Sequence, residues 1–368
     1  MELFGRKWTK DEILRKVGDI SQIGGIRLME LQEGNEKGVN IAEMRSGSGL
    51  RAIILLSRGI DIGYAEYRGI PLCWRSAVRD VHPAFFEPEG LGWLRTFYGG
   101  MMTSCGLTYA GAPCEDNGKQ LGLHGRVSHI PATNICADGE WQGDNYILTL
   151  KGKIREAAVF GENISLSRKI TMKFGEAKFS VHDVVENMGF QETEHMILYH
   201  INVGFPVLDS ESEMLSPTIS AIPRDEEARA PIKDGCSKEE YNKFSGPITS
   251  YKEKCYYHKM KADREGFVHS AIVNRKFNNG EGLGLYIKYP IAELPWLIEW
   301  KMMGEGTYVV GMEPANCLVT GRAKARADGT LQLLKPGEKR EYHLEIGVLS
   351  SKTEIAEFEK KINKVCFS

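Results

Sequence analysis

The sequence predicts an all-β protein, a large antiparallel β-sandwich with helices only at its periphery, including one near each terminus. Short apolar segments alternate with glycine-rich turns through most of the 368 residues, which is typical of antiparallel sheets. Capped apolar patterns at helical spacing occur near the two ends, and neither an internal repeat nor a flexible linker divides the chain. We therefore expect a single domain over residues 1–368.

A short helix is predicted over residues 9–17. Thr9 and Glu12 have the spacing of a capping box, in which each side chain accepts a hydrogen bond from the backbone N–H of the other residue. Apolar residues follow at helical spacing up to Val17, and Gly18 is suited to end the helix. We expect this helix to pack on the outside of a sheet.

Strands are predicted from residue 21 onwards. In the first third of the chain, turn residues separate short apolar runs in the pattern of a β-meander. After residue 132 the predicted strands are longer, and a charged stretch over 209–245 is predicted to cross the surface. The predicted strands cover 41–44, 50–56, 60–67, 70–74, 146–154, 164–172, 178–186, 196–203, 283–289, 308–312 and 341–349.

A second helix is predicted at the end of the chain, over residues 351–365. Ser351 and Glu354 again have the spacing of a capping box. Apolar residues on one face of this helix recur at helical spacing. They are Ile355, Phe358, Ile362 and Val365.

Composition and charge narrow the classes of function. The net charge of -2 argues against a general nucleic-acid or membrane-surface role, because both usually need a basic excess. No apolar stretch is long enough to span a bilayer, and the N-terminus lacks the apolar run of a signal peptide. The eight scattered cysteines form no CxxC pair and are expected to be reduced core residues. We expect a soluble cytoplasmic protein.

Three proton-active side chains stand in segments with strand or strand-end character. His124 lies in Gly-Leu-His-Gly-Arg, His200 in Leu-Tyr-His-Ile-Asn and Glu313 in Gly-Met-Glu-Pro. Two imidazoles and one carboxylate can exchange protons near neutral pH once their pKa values are tuned. The sequence therefore predicts a site for general acid/base chemistry, if the fold brings the three residues together.

Each of these residues also has an interpretation without catalysis. His124 lies on a bend between Gly122 and Gly125, where a loop histidine without a functional role is also common. A lone histidine inside an apolar strand, such as His200, is more often hydrogen-bonded in the core, although Asn202 shares its face and favours a pocket. Glu313 would then pair with an arginine such as Arg322. A zinc site that includes His124 and His129 is only weakly supported by their spacing.

Five motifs, taken together and in this order, resemble the aldose 1-epimerase superfamily of galactose mutarotase-like β-sandwiches. More closely, they resemble an uncharacterised bacterial branch of it. The motifs are Ser57-Arg58-Gly59-Ile60-Asp61-Ile62-Gly63, Tyr98-Gly99-Gly100 with Thr103-Ser104-Cys105-Gly106-Leu107, Leu123-His124-Gly125-Arg126, Tyr199-His200-Ile201-Asn202 and Gly311-Met312-Glu313-Pro314.

The resemblance implies a mutarotase, which interconverts the α and β anomers of an aldose without a cofactor. It assigns catalytic roles to three residues. Glu313 would act as base at the anomeric hydroxyl and His200 as acid at the ring oxygen, with His124 helping to polarise that oxygen. The expected partner is a small-molecule carbohydrate, and neither nucleic acid nor a membrane is expected.

Other candidates concern substrate binding. Arg126 stands where the family usually has a glycine, and its guanidinium favours a sugar with an acidic group or with extra hydroxyls. Arg58 and Asp61 are candidates for the family's substrate-binding arginine and aspartate, and Asn202 shares the face of His200. Trp300 is a candidate wall for a sugar ring, with core packing as the alternative.

Two alternative functions remain open at this point. One is a sugar epimerase or isomerase with the same pocket, in which His124, His200 and Glu313 hold a metal. The other is a non-catalytic carbohydrate-binding module. Metal analysis would identify the first, and a loss of binding, not only of turnover, on changing Glu313 would support the second.

Overall fold

The computed structural model describes residues 1–230 and 241–367, and within them it confirms the all-β class. Neighbouring strands of the main sheets pair in antiparallel fashion. The strands of the first third are β1 (Glu2–Leu3), β2 (Arg6–Lys7), β3 (Gly25–Glu30), β4 (Asn40–Arg45), β5 (Leu50–Leu55), β6 (Asp61–Tyr67), β7 (Ile70–Pro71), β8 (Thr103–Leu107), β9 (Cys114–Asp116) and β10 (Lys119–Leu121).

The later strands are mostly longer. They are β11 (Thr133–Gln142), β12 (Asn145–Ala157), β13 (Asn163–Lys173), β14 (Lys178–Asn187), β15 (Thr193–Val203), β16 (Glu213–Leu215), β17 (Thr218–Pro223), β18 (Lys254–Met260), β19 (Phe267–Asn274), β20 (Leu283–Pro290), β21 (Trp296–Met303), β22 (Tyr308–Ala315), β23 (Gln332–Leu334) and β24 (Lys339–Leu349). The stretch predicted to cross the surface thus contains two strands, β16 and β17, while its residues 231–240 lie outside the described part of the chain.

These strands build three main sheets. Sheet 1 is a five-stranded meander, β3-β4-β5-β6-β7. Sheet 2 has eight strands in the order β11-β12-β13-β14-β24-β20-β19-β16. Sheet 3 has seven strands in the order β17-β18-β21-β22-β15-β23, with β8 paired to β15. The two remaining pairs, β1 with β2 and β9 with β10, are small hairpins.

Helices are short except at the C-terminus. They are α1 (Lys10–Leu14), α2 (Glu226–Arg229), α3 (Phe277–Gly280), α4 (Arg322–Ala327) and α5 (Lys352–Phe367). The capping box of Thr9 and Glu12 is present, but α1 ends before the predicted Val17. No helix in residues 1–230 and 241–367 is long and apolar enough to cross a membrane.

The seven cysteines in the described residues are free thiols, but only some of them fill the core as expected. Cys73, Cys105, Cys255 and Cys317 are buried, while Cys136 and Cys366 are exposed. Cys114 is half-buried, and Cys236 lies outside the described residues.

One inward position of β13 carries a charge where its neighbours are apolar. Arg168 is fully buried and donates to Asp61 at 2.8 Å and to Asp183 at 2.6 and 2.9 Å. The Tyr98 hydroxyl donates to Asp61, and the Tyr199 hydroxyl donates to Asp183. We call these five residues the paired cluster. Because its members come from sheets 1, 2 and 3, it joins the sheets beneath the functional site.

Candidate active site

A cavity of about 430 Å³ brings together His124, His200 and Glu313, which we call the pocket triad. Trp300, the predicted wall residue, lines the same cavity. Most of the surrounding side chains are apolar, and several come from the loop before β8 and from the turn before His124. These apolar residues include Leu91, Trp93, Leu94, Phe97, Leu123 and Val319.

Strand register in sheet 3 places His200 beside Glu313. Ile201 of β15 pairs with Met312 of β22, so the preceding residue on one strand faces the following residue on the other. The two side chains share a face, and His200 Nε2 lies 3.1 Å from Glu313 Oε1. Both side chains are almost completely buried. Neither residue type nor spacing along the chain specifies this register.

The loop that carries His124 is held against β8. His124 has a φ of 57°, in the left-handed region that non-glycine residues rarely adopt. Its carbonyl accepts from Gly106 N–H at 3.0 Å, and its N–H donates to Gly111 at 2.9 Å. A Cβ on Gly125 would lie 2.3 Å from the Gly106 carbonyl, so only glycine permits this approach. Such a local cost is typical of functional sites.

A second glycine makes room for the carboxylate. Gly311 is opposite Trp300 in the ladder between β21 and β22. A Cβ on Gly311 would lie 2.3 Å from Glu313 Oε1 and 3.1 Å from Trp300 Cβ. The Gly-Met-Glu-Pro motif therefore combines the ionisable group with the space that its side chain occupies.

Aromatic rings surround both imidazoles. The Trp93 ring centroid is 4.9 Å from that of His124, and those of Phe97 and Trp300 are 5.2 and 5.3 Å from that of His200. The two imidazole centroids are 6.1 Å apart. These rings exclude water from the triad, which disfavours the charged form of each member.

Burial shifts all three pKa values toward neutral side chains. It lowers the pKa of His124 to about 4 and the pKa of His200 well below its ordinary value, with the His124 ring contributing further to His200. Burial likewise raises the pKa of the Glu313 carboxyl well above its ordinary value, and Glu253 adds to this shift. Burial of the pocket triad therefore favours neutral imidazoles and a protonated carboxyl, so one transferable proton is favoured on Glu313 over His200.

The triad also contains polar atoms that the protein does not satisfy. His124 Nδ1, His200 Nδ1 and Glu313 Oε1 are buried without a hydrogen-bond partner in the described part of the chain, since the 3.1 Å contact between His200 Nε2 and Glu313 Oε1 lacks the angles of a hydrogen bond. Buried polar atoms normally have partners because desolvation without one costs about 1–3 kcal/mol. Three of them around one cavity are typical of a site that a polar ligand completes.

Two charged residues of the cavity were not found by sequence reasoning. Arg224 lines the cavity and donates from Nη2 to Glu253 Oε1 at 2.9 Å. The other oxygen of Glu253 accepts from Trp300 Nε1 at 2.7 Å. Arg224 falls in the charged stretch predicted to cross the surface, so its charge gave no signal. The aromatic residues Trp93 and Phe97 were the available signal for the cavity wall.

Three predicted substrate-binding residues do not line the cavity. Arg58 is buried and donates to the carbonyls of Ser128, Val81 and Thr96. Asp61 belongs to the paired cluster. The Asn202 amide donates to the carbonyls of Gly100 and His200. Protein groups therefore occupy Arg58 and Asp61, which support the scaffold of the site, whereas Asn202 Oδ1 is buried without a hydrogen-bond partner in the described residues.

Arg126 also lies outside the cavity lining, although it is two residues from His124. Its side chain is exposed, and its guanidinium carbon lies 5.6 Å from the Phe86 ring centroid. Asp116, a carboxylate near Arg126 in sequence, pairs instead with Arg322 and Arg326. The cavity thus draws its cation from Arg224 and not from Arg126.

Ligand-atom spacing does not favour a metal held by the pocket triad. Within the described ranges, the one group of three His, Cys, Asp or Glu side chains whose ligand atoms lie within 4.8 Å of one another is His182, Glu341 and His343. This group lies on sheet 2, whereas His200 and Glu313 lie on sheet 3.

Comparisons with known proteins agree with this architecture. Residues 36–348 match a family described as Domain of unknown function (DUF4432), and no curated protein matches the sequence. A candidate aldose 1-epimerase from Klebsiella pneumoniae is similar in structure, with 25% identity, a TM-score of 0.86 and coverage of 98% of this chain and 91% of that one.

More distant structures share the fold. A galactose mutarotase-like protein from Clostridium acetobutylicum has 11% identity and a TM-score of 0.61, with 89% of this chain and 99% of that chain covered. A galactose 1-epimerase from Lactobacillus acidophilus has 11% identity, a TM-score of 0.55 and the same 89% and 99% coverage. The fold is galactose mutarotase-like, as the resemblance of the motifs implied.

Proposed function

The chain belongs to the family described as Domain of unknown function (DUF4432). From the geometry of its cavity we propose that it is a carbohydrate isomerase of the aldose 1-epimerase type. The observation that carries the proposal is the buried His200–Glu313 pair, whose Nε2 and Oε1 atoms are 3.1 Å apart. A pair that holds one proton in a water-poor cavity offers one acid and one base to the same ligand.

Anomer exchange requires two proton transfers. One removes the proton of the anomeric hydroxyl, and the other protonates the ring oxygen so that the ring opens. After rotation about the bond to the aldehyde carbon, the reverse transfers close the ring. The reaction involves no oxidation or reduction. Because ring closure reverses both proton transfers, the pair can supply and recover every proton.

Ligand binding is proposed to prepare the pair. Before a sugar binds, the proton is proposed to reside on Glu313, because burial favours the neutral carboxyl. Sugar hydroxyls that donate to Glu313 Oε1 stabilise its carboxylate, and Arg224 acts in the same direction. The proton then moves to His200 across the 3.1 Å contact. Glu313 becomes the base at the anomeric hydroxyl, and His200 becomes the acid at the ring oxygen.

The remaining cavity residues have proposed binding roles. His124 is held neutral, since burial lowers its pKa to about 4, so it donates a hydrogen bond to the ring oxygen without adding charge. Glu253 and Arg224 provide acceptors and donors for sugar hydroxyls. Trp300 offers an aromatic face beside them, and its Nε1–H fixes Glu253.

The proposal is tested by following anomer exchange by NMR on a panel of neutral, acidic and deoxy sugars. We expect the wild-type chain to accelerate exchange of at least one sugar. Glu313→Gln and His200→Asn should each slow it by about 100-fold or more, the usual effect of a positioned proton-transfer group. His82→Asn, which removes an imidazole outside the cavity lining, is the matched control.

Two results would overturn the proposal. One is normal exchange in both triad variants. The other is that the wild-type chain binds a sugar saturably, as measured by calorimetry, but does not accelerate its anomer exchange. The second result would identify a non-catalytic carbohydrate-binding module instead.

A further inference from the structure

The solvent face of sheet 2 carries a compact group of metal-ligand side chains. His182 of β14 and His343 of β24 are directly opposite each other in the antiparallel ladder. Glu341 is two residues before His343, so its side chain points to the same face. Inward neighbours such as Val181 and Tyr342 are buried, which confirms that this face is the outer one.

The ligand atoms of the three side chains lie close together. Their ligand atoms all lie within 4.8 Å of one another. His182 Nε2 is 2.9 Å from Glu341 Oε2, and His343 Nε2 is 4.0 Å from the same oxygen. The imidazole rings are stacked, with centroids 4.3 Å apart and planes 11° apart.

A fourth residue orients one of the rings. Glu293 Oε1 lies 2.9 Å from His343 Nδ1, and Glu293 Oε2 accepts from the His343 backbone N–H at 2.6 Å. A carboxylate on Nδ1 favours the tautomer whose Nε2 carries the lone pair. Histidines that bind metals typically have such a carboxylate partner on their second nitrogen. The free nitrogen of His343 is therefore the one near Glu341 and His182.

We propose that His182, Glu341 and His343 bind a divalent transition-metal ion such as Zn²⁺. Two imidazole nitrogens and one carboxylate oxygen are ligands that Zn²⁺ accepts, and three protein ligands leave a position for water or another donor. The site differs from the pocket triad in sheet and in residues. If no ion binds there, these side chains make only surface contacts with one another and with Glu293, namely ion pairs and the stacking of the two imidazoles.

The test is calorimetric titration of the chelator-treated full chain with ZnCl₂ at pH 7.5, where imidazoles are mostly unprotonated. We expect one saturable site. His182→Asn and His343→Asn should each weaken its affinity about 100-fold or more, whereas His82→Asn should leave it unchanged. Equal affinity in the wild type and both variants, or no saturable binding to the wild type, would overturn the proposal.

Two further variants distinguish the histidine site from zinc binding at surface thiolates. Glu293→Gln should weaken binding by about 10-fold, as expected for a residue that orients a ligand, and should change the His343 tautomer populations seen by ¹⁵N NMR. The double variant Cys136→Ser, Cys366→Ser removes the two thiols that are exposed in the described residues and should bind like the wild type. Loss of binding in that double variant would place the ion on thiolates and reject the histidine site.

Discussion

Two clusters of buried polar side chains, the paired cluster and the pocket triad, meet opposite faces of the same strand, β15. Tyr199 points into the paired cluster, and the next residue, His200, points into the cavity. The ionisable side chains of the paired cluster have partners for all their buried nitrogen and oxygen atoms, whereas the pocket triad leaves three such atoms unpaired in the described residues. Burial of ionisable groups alone therefore does not identify a site. A cluster of unpaired buried atoms around one cavity does.

The electrostatics of the two groups differ in the same way. Burial lowers the pKa of Arg168, but Asp183 and Asp61 raise it more, and the net pKa is above the ordinary value. Arg168 thus remains charged inside the protein. In the pocket triad burial is the largest influence, and it favours the neutral form of all three residues. A charged, satisfied group holds sheets together, and a neutral, unsatisfied group is ready to exchange protons.

The largest expected effect concerns the paired cluster. Arg168→Met should lower the free energy of unfolding by about 3–5 kcal/mol, because it leaves Asp61 and Asp183 buried without a countercharge. Urea unfolding followed by circular dichroism measures this change. Arg51→Met, which removes a partly exposed contact with Glu43, is the matched control and should cost about 0–1 kcal/mol. Similar losses in the two variants would contradict the structural role of the cluster.

Substitution in the pocket triad should affect anomer exchange strongly and stability only slightly. Glu313→Gln keeps shape and neutrality, so its free energy of unfolding should change by less than about 1 kcal/mol. Anomer exchange should nevertheless fall by about 100-fold or more, because the amide cannot accept the proton. Unfolding and exchange are measured on the same preparation. A stability loss as large as that of Arg168→Met would show that the carboxyl has a structural function.

A smaller effect is expected from Gly311→Ala. The new Cβ would overlap Glu313 Oε1, which lies 2.3 Å from its position, so the carboxyl must turn away from His200. Misplacement of a reacting group by about 1 Å costs up to about 100-fold, and we expect about a 10-fold loss in kcat. Gly18→Ala, whose Cβ would meet nothing within 4 Å, should leave exchange unchanged. An unaffected Gly311→Ala enzyme would mean that the carboxyl position is not critical.

The contrast between the clusters also explains what the sequence could predict. The period of the apolar runs predicted the strands, and the ordered motifs predicted the fold and the pocket triad. Arg58 and Asp61 were assigned to substrate binding because a charge near a motif looks the same whether it faces a cavity or a salt bridge. That choice depends on the pairing of sheets that are distant in sequence. Arg224 and Glu253 were missed for the same reason, since long-range contacts alone bring them to the cavity.

The smallest expected effect is that of pH on kcat/KM for anomer exchange, which should be nearly constant around neutrality. This constancy would distinguish the buried pocket from an exposed surface site. The His200–Glu313 pair needs one proton for exchange. Since burial lowers the pKa of His200, a second proton binds only well below pH 6.5. Since burial raises the pKa of Glu313, the single proton is retained well above pH 4.5. His124 also stays neutral, because its pKa is lowered to about 4.

We therefore expect kcat/KM for anomer exchange to vary by less than about 2-fold between pH 5.5 and 7.5, since this constant reports the ionisation of the free enzyme. An essential imidazole with an ordinary pKa of about 6.5 would instead lose about 10-fold over that range. Stopped-flow polarimetry, corrected for the uncatalysed reaction at each pH, distinguishes the two profiles. A midpoint near pH 6.5 would mean that water reaches His200 freely, and the pocket would then resemble an exposed polar cluster in its electrostatics.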